Sequence, residues 1–83
     1  MPIEIQYKES VSKDLKNIGM PNSKRVLDKL EKELKADPDK GLPLKGEFQG
    51  LFKLRIGDYR VIYSKMKNGV LVLRIGHRKN VYE

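Results

Sequence analysis

The sequence predicts a single α+β domain over residues 1–83, and three features of it carry that reading. Apolar residues alternate with period two at the N-terminus, recur at helical spacing through the next thirty or so positions, and return to period two from Leu51 almost to the end. Gly- and Pro-rich punctuation falls mainly between these stretches. The chain is also short enough to allow one modest core and no more.

Taken in order, Ile3–Tyr7 places Ile3, Ile5 and Tyr7 on one side of a strand and Glu4 and Gln6 on the other. Val11, Leu15 and Ile18 then follow a helical period, with Gly19 positioned to end it. Pro21 suits the first turn of a second helix, where its missing N–H is not needed. Val26, Leu27, Leu30 and Leu34 form that helix's apolar stripe, and Ala36-Asp37-Pro38-Asp39 stops it. The result is a helical hairpin. The segment Gly41–Gly50 reads as irregular, and after it comes a three-stranded antiparallel meander. Its turns are expected at Gly57-Asp58, a two-residue hairpin, and at Lys67-Asn68-Gly69, a three-residue loop with Gly69 in the left-handed position. Strand, helical hairpin and meander define an α+β class with the helices packed on one sheet face.

The register follows from those turns. Ile56 lies opposite Tyr59, Arg55 opposite Arg60, Leu54 opposite Val61 and Phe52 opposite Tyr63; the second loop sets Tyr63 opposite Leu73, Val61 opposite Ile75 and Arg60 opposite Gly76. Phe52, Leu54, Ile56, Tyr59, Val61, Tyr63, Leu71, Leu73 and Ile75 therefore share the face that meets the helices. Lys53, Arg55, Arg60 and Arg74 share the other, with Arg78 just beyond the last strand. Arg55 directly across from Arg60 is a destabilising like-charge pair, and no carboxylate in the meander strands relieves it. Gly76 opposite Arg60 leaves open space above the sheet. Guanidinium groups beside a gap suit phosphate, whose oxygens they match bidentately.

Charge supports the same face. Residues 1–44 carry nine Lys/Arg against eight Asp/Glu, whereas residues 45–83 carry nine against three, so the net +7 sits almost entirely in the C-terminal half. Such asymmetry points to a polyanionic partner, nucleic acid or an acidic protein. Other classes are disfavoured. There is no cysteine to staple a secreted mini-protein or to supply thiolate ligands. The single histidine, His77, alternates toward the core side near a strand end and cannot form a metal site alone. No Walker-type glycine loop and no catalytic carboxylate pair are present. The N-terminus has no signal-peptide pattern, and no apolar run approaches the roughly 20 residues of a membrane span, so a soluble cytoplasmic protein without membrane association is expected. Tyr82 offers a ring for base stacking.

Leu44-Lys45-Gly46, the block K-L-R-I-G-D-Y-R-V-I-Y from Lys53 to Tyr63, and G-H-R-x-x-V-Y from Gly76 to Tyr82 together resemble the RelE branch of the RelE/ParE toxin superfamily. The likeness extends over essentially the whole chain. It implies a RelE/ParE-like, microbial-RNase-like fold and the toxin of a type II toxin–antitoxin system. The activity implied is that of an mRNA interferase, a metal-independent endoribonuclease without cofactors that cleaves A-site codons on the ribosome and so inhibits translation. The RNA's own 2′-hydroxyl attacks the adjacent phosphate. By motif, the resemblance gives Lys53, Arg60, Arg78 and Tyr82 the catalytic places: base or charge stabiliser, phosphate ligand, leaving-group stabiliser and base-orienting ring. Lys45, Arg55, Arg74 and His77 are expected to bind RNA or phosphate. Leu51 departs from the pattern, since the best-studied members carry a second lysine there. Implied partners are a RelB-like antitoxin, the ribosome with its mRNA, and operator DNA reached only through the antitoxin complex. The alternatives are a ParE-like inhibitor of DNA gyrase and a weakly catalytic member acting mainly in a repressor complex.

Overall fold

In the computed structural model, which describes residues 3–77, the chain runs through β1 (Glu4–Tyr7), α1 (Glu9–Ile18), α2 (Asn22–Ala36), β2 (Leu42–Pro43), β3 (Leu51–Ile56), β4 (Tyr59–Met66) and β5 (Gly69–His77). A single turn of 3-10 helix, Gly46–Phe48, lies between β2 and β3. The five strands form one sheet in the order β1-β5-β4-β3-β2. Its centre is the expected meander, β3-β4-β5. To this the fold adds β1, parallel to the first half of β5, and the short β2, antiparallel to β3. Both helices lie on one face, as the amphipathic patterns require.

The core is built from the stripes that the periodicity identifies. Val11 of α1 and Val26, Leu30 and Leu34 of α2 meet Leu54, Ile56, Val61, Tyr63, Val70, Val72 and Ile75 of the sheet. Leu15, Ile18, Leu27, Phe52 and Tyr59 pack around them. Gly19 ends α1 as expected, with φ +77° and its N–H donating to the Leu15 carbonyl. Gly57 has φ +59° in the first hairpin turn, where a side chain would be strained.

The second hairpin differs from the expectation. Its turn is the two residues Lys67-Asn68, and Gly69 already belongs to β5, opposite Met66, without a positive φ. Glycine is needed there for closeness, because a Cβ at position 69 would collide with the Glu4 carbonyl of β1. The shorter turn shifts the pairing by one residue, and a β-bulge between Ile62 and Tyr63 restores the expected register beyond it. Val61 therefore pairs with Ile75, as expected, but Tyr63 faces Val72, not Leu73. A one-residue slip exchanges the two faces of a strand. Accordingly Val70 and Val72 are fully buried, while Leu71 and Leu73, expected in the core, are only half-buried.

Tyr63 is the largest fully buried side chain. Its ring stacks on Phe52, with centroids 5.6 Å apart. Its hydroxyl donates to the Pro38 carbonyl and accepts the Gly41 N–H, both at 3.0 Å. These bonds fasten the segment after α2 to the sheet, and Gly41 lies so close that a Cβ would come within 2.5 Å of the hydroxyl. An ion pair between Lys65 and Asp39 adds a second tie on the surface. The same segment carries the chain into β2.

Replacing Tyr63 with Phe strands the Gly41 N–H and should cost about 1–3 kcal/mol, read as a lower urea midpoint. Burial also pushes the Tyr63 phenol above its ordinary range. Its folded value thus exceeds the unfolded value of about 10, so its contribution is complete below pH of about 10 and is lost as pH rises through the folded value. The stability gap between wild type and Tyr63→Phe should hold constant up to that point and narrow above it in a pH series of denaturant melts.

Candidate phosphate site and the groove beside it

On the sheet face away from the helices, cross-strand pairing aligns two rows. Lys53, Ile62 and Arg74 form one row, and Arg55, Arg60 and Gly76 the other. Arg55 stands directly opposite Arg60, as the register requires, at a spacing of about 5 Å between Cβ atoms. The Arg55 Nε donates to the Gly57 carbonyl at 3.3 Å, which draws its guanidinium toward the turn. Lys53 and Arg60 are half-buried, whereas Arg55 is exposed. Ile62 is only 6% exposed and gives this basic face an apolar floor. Cations over such a floor hold anions more strongly than cations in open water.

Arg74 departs from the expected arrangement. It shares its row with Lys53, but its guanidinium is engaged by a carboxylate supplied from α1. Nε and Nη2 of Arg74 donate to the two oxygens of Asp14 at 2.9 and 3.0 Å. The same carboxylate accepts the Ile75 N–H at 3.0 Å. Asp14 is 7% exposed and Arg74 remains largely exposed, so the pair sits where the sheet edge meets the surface. Hydrogen bonding and the nearby negative charge raise the Arg74 pKa above its ordinary value. The sequence did hold a signal for this: Val11, Asp14, Leu15 and Ile18 occupy positions i, i+3, i+4 and i+7, so Asp14 falls on the buried stripe. A buried carboxylate demands a partner.

The pairing has a topological cause. β1 covers β5 only from Gly69 to Val72. Beyond that point α1 takes over the exposed edge. The Lys8 N–H donates to the Val72 carbonyl, the Ser10 hydroxyl to the Leu73 carbonyl, and the Ile75 N–H to Asp14. The Lys8 backbone and two helix side chains thus satisfy backbone groups that a further strand would otherwise pair.

At the end of β5, α1 and the sheet enclose an open groove of about 280 Å³. Asp14, Asn17 and Ile18 line it from α1, and Tyr59, Arg74, Ile75, Gly76 and His77 from the sheet. The rings of Tyr59 and His77 meet edge to face, 5.9 Å apart at 80°. His77 lies on the core side, as its alternation predicts, and so faces this groove and not the basic face. Lys45 is exposed beside the start of β3, where the Leu44 N–H bonds the Leu51 carbonyl. The strand from Leu51 to Arg55, about 13 Å long, keeps it from the arginine pair. Arg78 and Tyr82 lie outside the described residues. Among the described residues no group of three or more His, Cys, Asp or Glu side chains could hold a metal ion. No described helix is long and apolar enough to cross a membrane.

The family model described as "ParE toxin of type II toxin-antitoxin system, parDE" matches residues 5–82. The chain belongs to this toxin family. The toxin's fold is similar to that in the crystal structure of the toxin–antitoxin complex RelBE2 from Mycobacterium tuberculosis. There the TM-score is 0.86 at 27% identity, covering 94% of this chain and 100% of that one. It also resembles the E. coli DinJ–YafQ toxin–antitoxin complex, with a TM-score of 0.69 at 22% identity and full coverage of both chains. A chromosomal ParDE system from P. aeruginosa gives a TM-score of 0.71 at 12% identity, covering 90% and 95% of the two chains. The last two show a shared fold alone. No match was found among curated protein sequences.

Substituting Asp14 with Ala leaves the buried Ile75 N–H without its acceptor and should cost about 1–3 kcal/mol. Asp14→Asn, which keeps an acceptor oxygen, should recover part of that. Denaturant midpoints measure the cost, and faster amide exchange at Ile75 in the Ala variant localises it; an unchanged midpoint and exchange rate would show that the edge bonds contribute nothing.

Proposed function

We propose that the toxin is an endoribonuclease that cuts messenger RNA in the ribosomal A site and so arrests translation. The observation that carries this reading is the register of the meander, which sets Arg55 opposite Arg60 with the side-chain-free Gly76 as the next neighbour and Lys53 in the adjoining row. That layout fits a phosphodiester lying across the sheet, with Arg60 holding the scissile phosphate. The 2′-oxygen bonds to phosphorus as the bond from phosphorus to the 5′-oxygen breaks, leaving a cyclic phosphate and a 5′-hydroxyl. Lys53 receives the 2′ proton or holds the charge that develops there, and Arg60 favours the more highly charged transition state. Arg78, matched by motif, serves the departing 5′-oxygen, either donating the proton it takes up or holding its charge while water supplies that proton, and Tyr82 orients a base. No metal ion is needed for these steps. Leu51 lies on the same face as Lys53, so the place of the second lysine is apolar here and Lys53 carries its part alone.

The partner proposed for the resting state is an acidic RelB-like antitoxin covering the basic face, with operator DNA contacted only through that complex. It is supported by the RelBE2 and DinJ–YafQ structures, which are toxin–antitoxin complexes. A second reading, inhibition of DNA gyrase, is favoured by the ParE description of the matching family model.

On programmed ribosomes, primer extension should reveal wild-type cleavage within the A-site codon. Arg60→Ala should lower the rate by at least about 100-fold, the scale of losing one transition-state donor, while circular dichroism stays unchanged. Cleavage by Arg60→Ala at the wild-type rate, or none by the wild type, would sink the ribonuclease reading. Loss of supercoiling in a gyrase assay would establish the second.

A further inference from the structure

We infer that the groove between the end of α1 and the end of β5 is a nucleobase subsite, receiving the base next to the phosphate held at Arg60; this rests on the ribonuclease reading. Gly76 is the hinge of the argument. It lines the groove and is also the direct cross-strand neighbour of Arg60. Gly76 itself puts no side chain between the basic face and the groove, so a strand bound by its phosphate at Arg60 can turn past β5 at that position and bring the adjoining base to the groove.

The lining suits a base and little else. Tyr59 and His77 bring aromatic rings, and Ile18 adds an apolar side against which a flat ring can lie. Such platforms bind unpaired bases irrespective of sequence. Asn17 then adds an amide that both donates and accepts, the pattern that reads base edges. Arg74, held by both oxygens of Asp14, lines the groove with a fixed plane instead of a mobile cation. Order at that position favours stacking or a directed hydrogen bond over diffuse attraction. Asp14 is therefore a positioning residue, acting on the base through Arg74. An acidic protein segment would find less here, because the guanidinium is already partly neutralised and the walls are rings and an amide.

Binding separates this inference from the cleavage reading. A 2′-O-methyl RNA trinucleotide cannot be cut, since its nucleophile is blocked, yet it keeps base and phosphate. Titrated into isotope-labelled toxin, it should shift the imidazole signals of His77, which are unambiguous because the chain has one histidine. An otherwise identical trinucleotide lacking the base should bind about tenfold more weakly, the scale of losing one stacked base, and leave His77 unshifted. Asn17→Ala, at an exposed helix position, should weaken the complete trinucleotide and not the abasic one. Equal shifts from both ligands, shifts confined to Lys53 and Arg60, or equal shifts from polyglutamate would each overturn the subsite. Should the base-dependent shifts appear while programmed ribosomes stay uncut, the groove is a base site and the ribonuclease reading alone fails.

Discussion

The carboxylate of Asp14 is the constraint on which the rest of this structure turns. β5 is the most connected strand, yet β1 accompanies only its first half. Backbone groups left bare along the second half would form a sticky edge. Lys8, Ser10 and Asp14 close that edge in succession, so α1 is both a core helix and a substitute strand. Once α1 is fixed by those bonds, the position of Arg74, the width of the neighbouring groove and the separation of the groove from the basic face all follow.

The sheet divides its labour by face. One side is covered by helices and holds the apolar core. The other carries Lys53, Arg55 and Arg60 above the buried Ile62. Setting two arginines opposite one another costs stability, and a small domain has little to spare. The register nevertheless holds Arg55 and Arg60 opposite one another, with Gly76 as the next cross-strand neighbour of Arg60. The fold that sets these positions is shared with the P. aeruginosa ParDE structure at 12% identity.

Much of this was legible in the residues, because period and face are local properties. The helical hairpin, the Gly57-Asp58 turn and the opposition of Arg55 to Arg60 follow from patterning within a few positions. What was not legible depended on distant neighbours. Gly69 resembles a left-handed turn residue until β1 is placed beside it, after which its role is to let the Glu4 carbonyl approach. With the turn one residue shorter, the valines of β5 went inward in place of the leucines, and alternation alone cannot distinguish V-L-V-L in one phase from the other. β2 is too short to show a period. Asp14 lay in plain view on an apolar stripe, but its partner is sixty residues away in the chain. Lys53, Arg55 and Arg60 were therefore readable as a cluster, whereas Arg74 and the groove required the tertiary structure.

The parallel pairing of β1 with β5 also bears on when the molecule can exist. Residues 4–7 pair as a strand with residues 69–72, so the sheet joins segments far apart in the sequence. Such long-range closure must be completed before its contacts reward it, which slows folding relative to local structure. During synthesis the helical hairpin and the first hairpin of the meander emerge early. The edge that Asp14 seals and the row containing Gly76 cannot form until β5 is available to pair. Until then Arg55 and Arg60 can already face each other across the first hairpin, but the glycine row beside them and the groove behind it are missing.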